Sequence, residues 1–189
     1  MNKITIIDKA IKYTFLWFIP MKVQPNHVTI FRFLTIPFVI YFIVLENYVI
    51  GIPLFVISAF SDAIDGAMAR TRDQITEWGS TFDPVADKLL IGSLAAILVS
   101  KEIDPILAFV IIFLEVLIVM SAIYKKKKYQ SPIEAKKAGK AKMIFQSFGI
   151  GFLLLFLAVS APWMFLLAKS LLYVSVVFAL LSLFVYKSA

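Results

Sequence analysis

Long apolar runs are the feature that most limits how this chain of 189 residues can fold. Six of them recur along the sequence, and each can seed a helix of roughly 20 residues, the length that crosses the hydrocarbon core of a bilayer. The predicted spans lie at about residues 27–46, 49–70, 80–100, 104–124, 138–159 and 163–186. With 61% hydrophobic and 16% charged residues, the composition lies outside that of ordinary soluble domains. We therefore predict an all-α integral membrane protein with six transmembrane helices, forming a single domain over residues 1–189.

Residues 1–20 are predicted to form an amphipathic juxtamembrane helix ahead of the first span. Isoleucines and phenylalanines recur there at helical spacing, whereas the lysines of this segment fall off that face. Such a helix lies in the membrane interface with its apolar face toward the lipid. A first short span is the alternative interpretation of the same residues.

Basic residues lie almost entirely in the connections on one side of the six predicted spans. They cluster near the N-terminus, at Arg70 and Arg72, and between Lys125 and Lys142, whereas the opposite connections hold only Lys101. Because cytoplasmic loops carry the excess of Lys and Arg, we expect both termini and the loop at Arg70 on the cytoplasmic side. These loops and their contact with anionic lipid account for the net charge of +7, so no nucleic-acid partner is predicted.

Four aspartates stand at the ends of the second and third runs, in the stretch SDAIDGAMARTRDQITEWGSTFDPVADK. Asp62 and Asp65 are three residues apart, and Asp83 and Asp87 are four apart, so each pair lies on one face of its helix. The turn between the two helices makes them antiparallel, and the four carboxylates are expected to converge near the cytoplasmic interface. Like charges at that density repel strongly unless cations neutralise them or some take up protons.

Oxygen ligands without neighbouring histidine or cysteine favour hard ions such as Mg²⁺, Mn²⁺ or Ca²⁺. The chain has no cysteine, and its single histidine, His27, has no second nitrogen or sulfur ligand to join it. Two ions about 4 Å apart form a clamp for a phosphoryl group. Gly66 and Ala69 leave the helix backbone open to a ligand, and Arg70 offers a planar fork that pairs with phosphate. These residues indicate a nucleotide or pyrophosphate substrate.

The pattern from Asp62 to Asp87 is Asp-x-x-Asp-Gly-x-x-Ala-Arg, then eight residues, then Gly-x-x-x-Asp-x-x-x-Asp. It resembles the signature of the CDP-alcohol phosphotransferase family without a gap or substitution. Members of that family have six spans preceded by a juxtamembrane helix. The resemblance implies that Asp62, Asp65 and Asp83 bind a pair of Mg²⁺ or Mn²⁺ ions. It implies that Asp87 is the general base and also contacts a metal.

The same resemblance implies the reaction and its setting. An alcohol hydroxyl attacks the lipid-side phosphorus of CDP-diacylglycerol and CMP leaves, in a homodimer within a plasma membrane that we expect to be prokaryotic. The residues expected to bind CDP are Asn26, Thr29, Asp62, Gly66, Ala69 and Arg70. Asn26 and Thr29 belong to residues 25–32, PNHVTIFR, which look like the PNxxTxxR entry to the first span of the family.

Two further motifs bear on the acceptor alcohol. Residues 83–88, DPVADK, and residues 139–146, GKAKMIFQ, are similar to segments of phosphatidylglycerophosphate synthases and CDP-diacylglycerol-type cardiolipin synthases. They favour glycerol 3-phosphate as acceptor, with its phosphate bound by Lys88, Lys140 and Lys142. The Arg that usually precedes the acid of the fourth span is absent beside Glu115. Inositol phosphate and phosphatidylglycerol therefore stay open as acceptors.

Glu115 lies inside a predicted span, where an acid is by default a candidate for function. It is expected either to pair with a buried cation such as Arg32 or to lie between helices. Two other classes of protein use intramembrane acids. A divalent-cation transporter needs acids along a path, whereas here they gather at one end of the spans. A membrane prenyltransferase needs a further acid where this chain has Ala69 and Arg70, and more spans than fit here.

Overall fold

The computed structural model describes residues 13–14, 20, 24–72, 77–129 and 137–187. The long helices in these ranges are α1 (Pro25–Val44), α2 (Tyr48–Thr71), α3 (Glu77–Leu94), α4 (Pro105–Tyr129), α5 (Lys137–Val159) and α6 (Pro162–Lys187). After α3 the chain continues through a π-helical stretch, Ala95–Val99, into a last short turn of α-helix, Ser100–Glu102. The all-helical prediction is thus confirmed for the part of the chain that is described. The predicted juxtamembrane helix at residues 1–20 lies outside it, apart from Tyr13, Thr14 and Pro20.

Prolines mark where three of these helices begin. Pro25, Pro105 and Pro162 are the first residues of α1, α4 and α6. Proline is suited to that position because the N–H that it lacks would have no acceptor within the helix. Asp104 adds a cap at the start of α4, where its carboxylate accepts a hydrogen bond of 2.7 Å from the Ile106 N–H. The local sequence therefore fixes these helix starts.

Four helical segments are long and apolar enough to cross a membrane. They are Pro25–Val44, Tyr48–Thr71, Ala138–Val159 and Pro162–Leu183, and Pro105–Ser121 is a shorter apolar helix. Large apolar side chains such as Leu34, Phe38 and Leu166 are exposed on these helices. Apolar surface of that extent is typical of contact with lipid. Membrane crossing by all six helices stays a prediction.

The chain divides into two compact units, residues 1–90 and 91–189. In the first unit, α1 packs against α2 after a tight turn. Glu46 in that turn has a positive φ of 57°, the left-handed conformation that lets the chain reverse direction. Gly51 lies against Ile43 across the turn, because a Cβ at Gly51 would be 2.7 Å from Ile43 Cδ1. The two helices therefore form a closely packed hairpin.

The second unit contains a similar hairpin, made by α5 and α6. Its turn uses Ser160, which has a φ of 58°. The helices approach closely at Gly149, where a Cβ would lie 2.8 Å from Leu172 Cγ. The rings of Phe145 and Phe178 stack with centroids 5.3 Å apart. Helix α4 packs against α6 and against the π-helical stretch.

Candidate active site

The last turns of α2 carry the first pair of aspartates. Asp62 and Asp65 lie three residues apart, and their side chains differ in exposure. The Asp62 side chain is 47% exposed, whereas that of Asp65 is 2% exposed. A buried carboxylate is costly unless it has a partner of opposite charge and satisfied hydrogen bonds. The position of Asp65 therefore requires a cation nearby.

Arg32 of α1 supplies that cation. Its Nη1 donates a hydrogen bond of 2.6 Å to Asp62 Oδ1, and its Nη2 donates to Asp65 Oδ2. The whole Arg32 residue is buried. The planar guanidinium presents its donors in a fixed fork, so one side chain can bind two carboxylates that are neighbours on a helix face. The Asp62–Asp65 pair is thus held from the protein side by a single arginine.

One aspartate of the second pair, Asp83, contacts the same face of α1. Thr29, three residues before Arg32 and also buried, donates a hydrogen bond of 2.6 Å from its hydroxyl to Asp83 Oδ1. Next to this contact, the rings of Phe33 and Phe82 meet edge to face with centroids 6.4 Å apart. Helix α1 therefore bonds to two aspartates of α2 and to one of α3 within about one turn of its own length.

The remaining predicted residues of the first unit differ in how far they are exposed. Asn26, Ala69, Asp87 and Lys88 are half-buried, and Arg70 is exposed. The guanidinium of Arg70 covers Gly66, since a Cβ there would lie 3.0 Å from Arg70 Nη2. Hence the helix surface that Gly66 leaves open is occupied by the arginine that was predicted to bind phosphate beside it.

The acids do not form a ready-made metal cluster. Within the described ranges, no group of three or more histidine, cysteine, aspartate or glutamate side chains is arranged to hold a metal ion. The structure brings Asp62 and Asp65 together through Arg32 and ties Asp83 to Thr29. The predicted convergence of all four carboxylates on a pair of ions stays a prediction.

The donor set nevertheless fits hard divalent cations. The two acid pairs offer only carboxylate oxygens, which are the ligands that Mg²⁺ and Mn²⁺ prefer. Arg32 engages one oxygen each of Asp62 and Asp65. The second oxygen of each of these two carboxylates is not used by the arginine. Asp62, Asp65, Asp83 and Asp87 are the residues that would hold such ions.

In the second unit, Lys142 forms an ion pair with Glu115. The Lys142 side chain is 5% exposed, that of Glu115 is 13% exposed, and the ammonium donates to Glu115 Oε1. The suggested pairing of Glu115 with Arg32 is therefore wrong. Glu115 pairs with Lys142, and Arg32 forms ion pairs with Asp62 and Asp65. Lys140, two residues earlier on α5, is exposed. Of these two lysines, Lys140 presents an accessible charge and Lys142 does not.

Other polar groups are buried on the helices around this ion pair. Gln146, one turn after Lys142 on α5, has neither amide atom hydrogen-bonded within the described part of the chain. The same holds for Glu115 Oε2 and for the Ser182 hydroxyl of α6. Gly139 faces Ser182, since a Cβ at Gly139 would lie 3.7 Å from Ser182 Oγ. Buried polar atoms in this state are usually satisfied by water or a ligand.

The sequence interpretation missed the partners of both buried cations. Thr29 and Arg32 were both part of the PNxxTxxR segment, and their spacing of three places them on one helix face. That spacing was the available signal that both side chains lie on the same side of α1. Lys142 and Glu115 are 27 positions apart on different helices, and nothing local in the sequence pairs them.

The described structure is thus a helical protein in which one face of α1 anchors three aspartates, two on α2 and one on α3. The family model described as CDP-alcohol phosphatidyltransferase matches residues 22–181. This range includes the Thr29, Arg32 and aspartate contacts and covers most of the chain. The chain belongs to the CDP-alcohol phosphatidyltransferase family, and it is a transferase.

Relatives with a named activity match between about half and 71% of the chain. A Rickettsia typhi protein named CDP-diacylglycerol–glycerol-3-phosphate 3-phosphatidyltransferase is 33% identical over 140 residues, which is 71% of this chain and 78% of that protein. An Aquifex aeolicus protein of the same name is 30% identical over 129 residues, 67% and 72% of the two chains. A Drosophila melanogaster protein named probable cardiolipin synthase (CMP-forming) is 36% identical over 94 residues, 49% of this chain and 29% of its own.

The buried ion pair of the second unit generates a prediction about stability. Replacing Glu115→Gln removes the carboxylate that compensates the buried Lys142 ammonium, and we expect a loss of about 3–5 kcal/mol. The double variant Glu115→Gln/Lys142→Met has no buried charge at either position, so its melting temperature in detergent should return toward that of the unchanged protein. Thermal unfolding followed by circular dichroism measures both. Equal destabilisation of the single and double variants would contradict a dominant role for the charge.

Proposed function

We propose that this chain transfers the phosphatidyl group of CDP-diacylglycerol to glycerol 3-phosphate, producing phosphatidylglycerophosphate and CMP. The observation that carries the proposal is the uninterrupted aspartate signature at residues 62–87, anchored on α1 through Thr29 and Arg32. The family match supports the reaction type. The choice of acceptor is supported by the names of the relatives that cover about 70% of this chain.

The proposed chemistry is one displacement at phosphorus. The acceptor hydroxyl oxygen forms a bond to the phosphorus that bears the diacylglycerol, and the bond from that phosphorus to the bridging oxygen of CMP breaks. Asp87 takes the proton of the attacking hydroxyl. A carboxylate can do this when it lies within hydrogen-bond reach of the hydroxyl. CMP departs with the bridging oxygen and its negative charge.

The other predicted residues bind and orient the diphosphate donor. Asp62, Asp65 and Asp83 would hold two Mg²⁺ or Mn²⁺ ions, which, when bound, supply positive charge to the diphosphate oxygens. Arg70 is exposed and carries donors in the geometry that phosphate accepts. Asn26, Gly66 and Ala69 are proposed to border the CDP group. Thr29 is also proposed to border the CDP group. Its hydroxyl donates a hydrogen bond to Asp83, one of the proposed metal ligands.

The membrane setting of the proposal follows the charge distribution. All six helices would cross the bilayer of a bacterial plasma membrane, with the aspartates and both termini on the cytoplasmic side. There a soluble acceptor meets a lipid-anchored donor at the interface. A homodimer is proposed on the strength of the family resemblance.

The acceptor assignment predicts which alcohol supports CMP release. Purified protein in detergent micelles with CDP-diacylglycerol and Mg²⁺ should release CMP with glycerol 3-phosphate, and much more slowly with inositol 1-phosphate, inositol, serine or phosphatidylglycerol. Chromatographic quantification of CMP measures the rates. Faster release with phosphatidylglycerol would favour a cardiolipin synthase, to which the shorter Drosophila match points. CMP release with none of the acceptors would refute the transferase proposal for all of them.

The role of Asp87 predicts a loss of turnover without a loss of cation binding. Asp87→Asn keeps the side-chain shape but cannot take a proton, so kcat should fall by about 10²–10⁴-fold. Mn²⁺ binding, followed by electron paramagnetic resonance, should weaken far less than turnover. Asp104→Asn is the matched control because Asp104 only caps α4 and asparagine also caps helices. Substantial residual turnover in Asp87→Asn would remove Asp87 from the role of base.

The three lysines proposed to bind the acceptor phosphate differ in exposure, so they need different tests. Lys140 is exposed, so Lys140→Ala should raise the KM for glycerol 3-phosphate about tenfold or more with little change in melting temperature, as expected for losing a charged hydrogen bond. Lys101→Ala, also exposed, is the control. Lys88 is tested in the same way.

Lys142 is buried against Glu115, so its contribution is measured in the folded Glu115→Gln/Lys142→Met variant. An unchanged KM would assign the tested lysine to topology or lipid contact.

A further inference from the structure

The ion pairs between Arg32 and the first acid pair have a buried side and a side that is open to solvent. Arg32 and Asp65 are almost completely buried, while about half of the Asp62 side chain is exposed. The guanidinium therefore contacts the carboxylates from the interior of the first unit. A cation or a diphosphate that arrives from solvent meets Asp62 from the opposite, exposed side. Arg32 and an incoming cation thus do not need to occupy the same place.

Each carboxylate gives one oxygen to the arginine. Arg32 Nη1 bonds to Asp62 Oδ1 and Arg32 Nη2 to Asp65 Oδ2, whereas the buried Nε has no hydrogen-bond partner within the described residues. The guanidinium is therefore held through its two terminal nitrogens. This arrangement fixes the rotation of both carboxyl groups and leaves one oxygen of each without a bond to the arginine.

Several contacts keep Arg32 in place. Among the described residues its ion pairs are with Asp62 and Asp65, and leaving them would strand a buried guanidinium without a compensating charge. One turn further along α1, Thr35 Oγ1 lies 2.9 Å from the Arg32 carbonyl oxygen and 3.1 Å from Ser58 Oγ of α2. The side chain and its own turn of helix are thus both tied to α2.

We propose that Arg32 is a positioning residue for divalent-cation binding. It holds Asp62 and Asp65 in fixed orientations before the ion arrives, and it stays bonded to them when the ion is bound. The inference rests on the cation site of the proposed function. The benefit is preorganisation, because carboxylates that are already oriented lose less freedom when they bind a ligand. In the opposite role, Arg32 would be a built-in cation that must leave before a metal can enter. Replacing the guanidinium would then strengthen metal binding, whereas our proposal predicts that it weakens metal binding.

The first test measures Mn²⁺ binding in the absence of CDP-diacylglycerol. Arg32→Lys keeps the positive charge but cannot bond to two carboxylates through a planar fork. Mn²⁺ titration followed by electron paramagnetic resonance should show about tenfold or more weaker binding, the size typical when a group that orients a metal ligand is lost. Arg72→Lys is the matched control and should bind Mn²⁺ as the unchanged protein does. Unchanged or tighter binding by Arg32→Lys would overturn the proposal.

A second measurement uses the unchanged protein, so it tests the role of Arg32 even if the Arg32→Lys variant does not fold. The chain has only three arginines, Arg32, Arg70 and Arg72, so selective ¹⁵N-arginine labelling gives three guanidinium groups to assign. A guanidinium held by two carboxylates rotates slowly about its Cζ bonds. On adding Mg²⁺, the Arg32 signals should shift but keep the signature of slow rotation. Loss of that signature would show that the ion displaces Arg32, and the proposal would be rejected.

The outcomes separate this inference from the proposed function. If the unchanged protein binds Mn²⁺ and releases CMP but Arg32→Lys binds Mn²⁺ equally well, only the role of Arg32 fails. If the unchanged protein binds no Mn²⁺, the cation site itself fails. In a folded Arg32→Lys variant, a higher Mg²⁺ concentration should restore part of the CMP release. A purely structural defect would not respond to Mg²⁺ in that way.

Discussion

One buried arginine shared by two aspartates is the interaction on which the first unit depends. It links α1 to α2 at the level where α2 changes from apolar to acidic residues. A membrane helix can end in acids only if water, a cation or a partner helix compensates their charge. Here Arg32 compensates both acids from the buried side, while about half of the Asp62 side chain is exposed. The same face of α1 then reaches Asp83 through Thr29.

The local sequence was sufficient to predict the helical class and the faces of the acid-bearing helices. Apolar runs set the helices, and prolines at residues 25, 105 and 162 set three of their starts. The spacing of Asp62 and Asp65 put them on one face, and the structure binds both to the same side chain. These features depend on residues within one or two turns of each other, which is why sequence alone reveals them.

Pairing between helices was much harder to predict. Arg32 has two acidic partners about 30 positions away, and Lys142 has one acid 27 positions away on another helix. A buried cation in a sequence shows that an acid must be near, but several acids satisfy that condition equally well. The choice is made by the rotation and depth at which the helices pack, and only the assembled structure fixes these. The covering of Gly66 by Arg70 was hidden for a similar reason, since it depends on one side-chain conformation.

The two tight turns at Glu46 and Ser160 bear on how such a chain is made. Each joins helices that are adjacent in sequence and packed against each other, so both hairpins are built from contacts between neighbouring segments. Structures dominated by such contacts close only short loops and fold quickly. During synthesis, the two helices of each hairpin can pack together as soon as the second one emerges. The short turns therefore favour formation of these helices in pairs, whereas the hydrogen bond from Thr29 to Asp83 has to wait for α3.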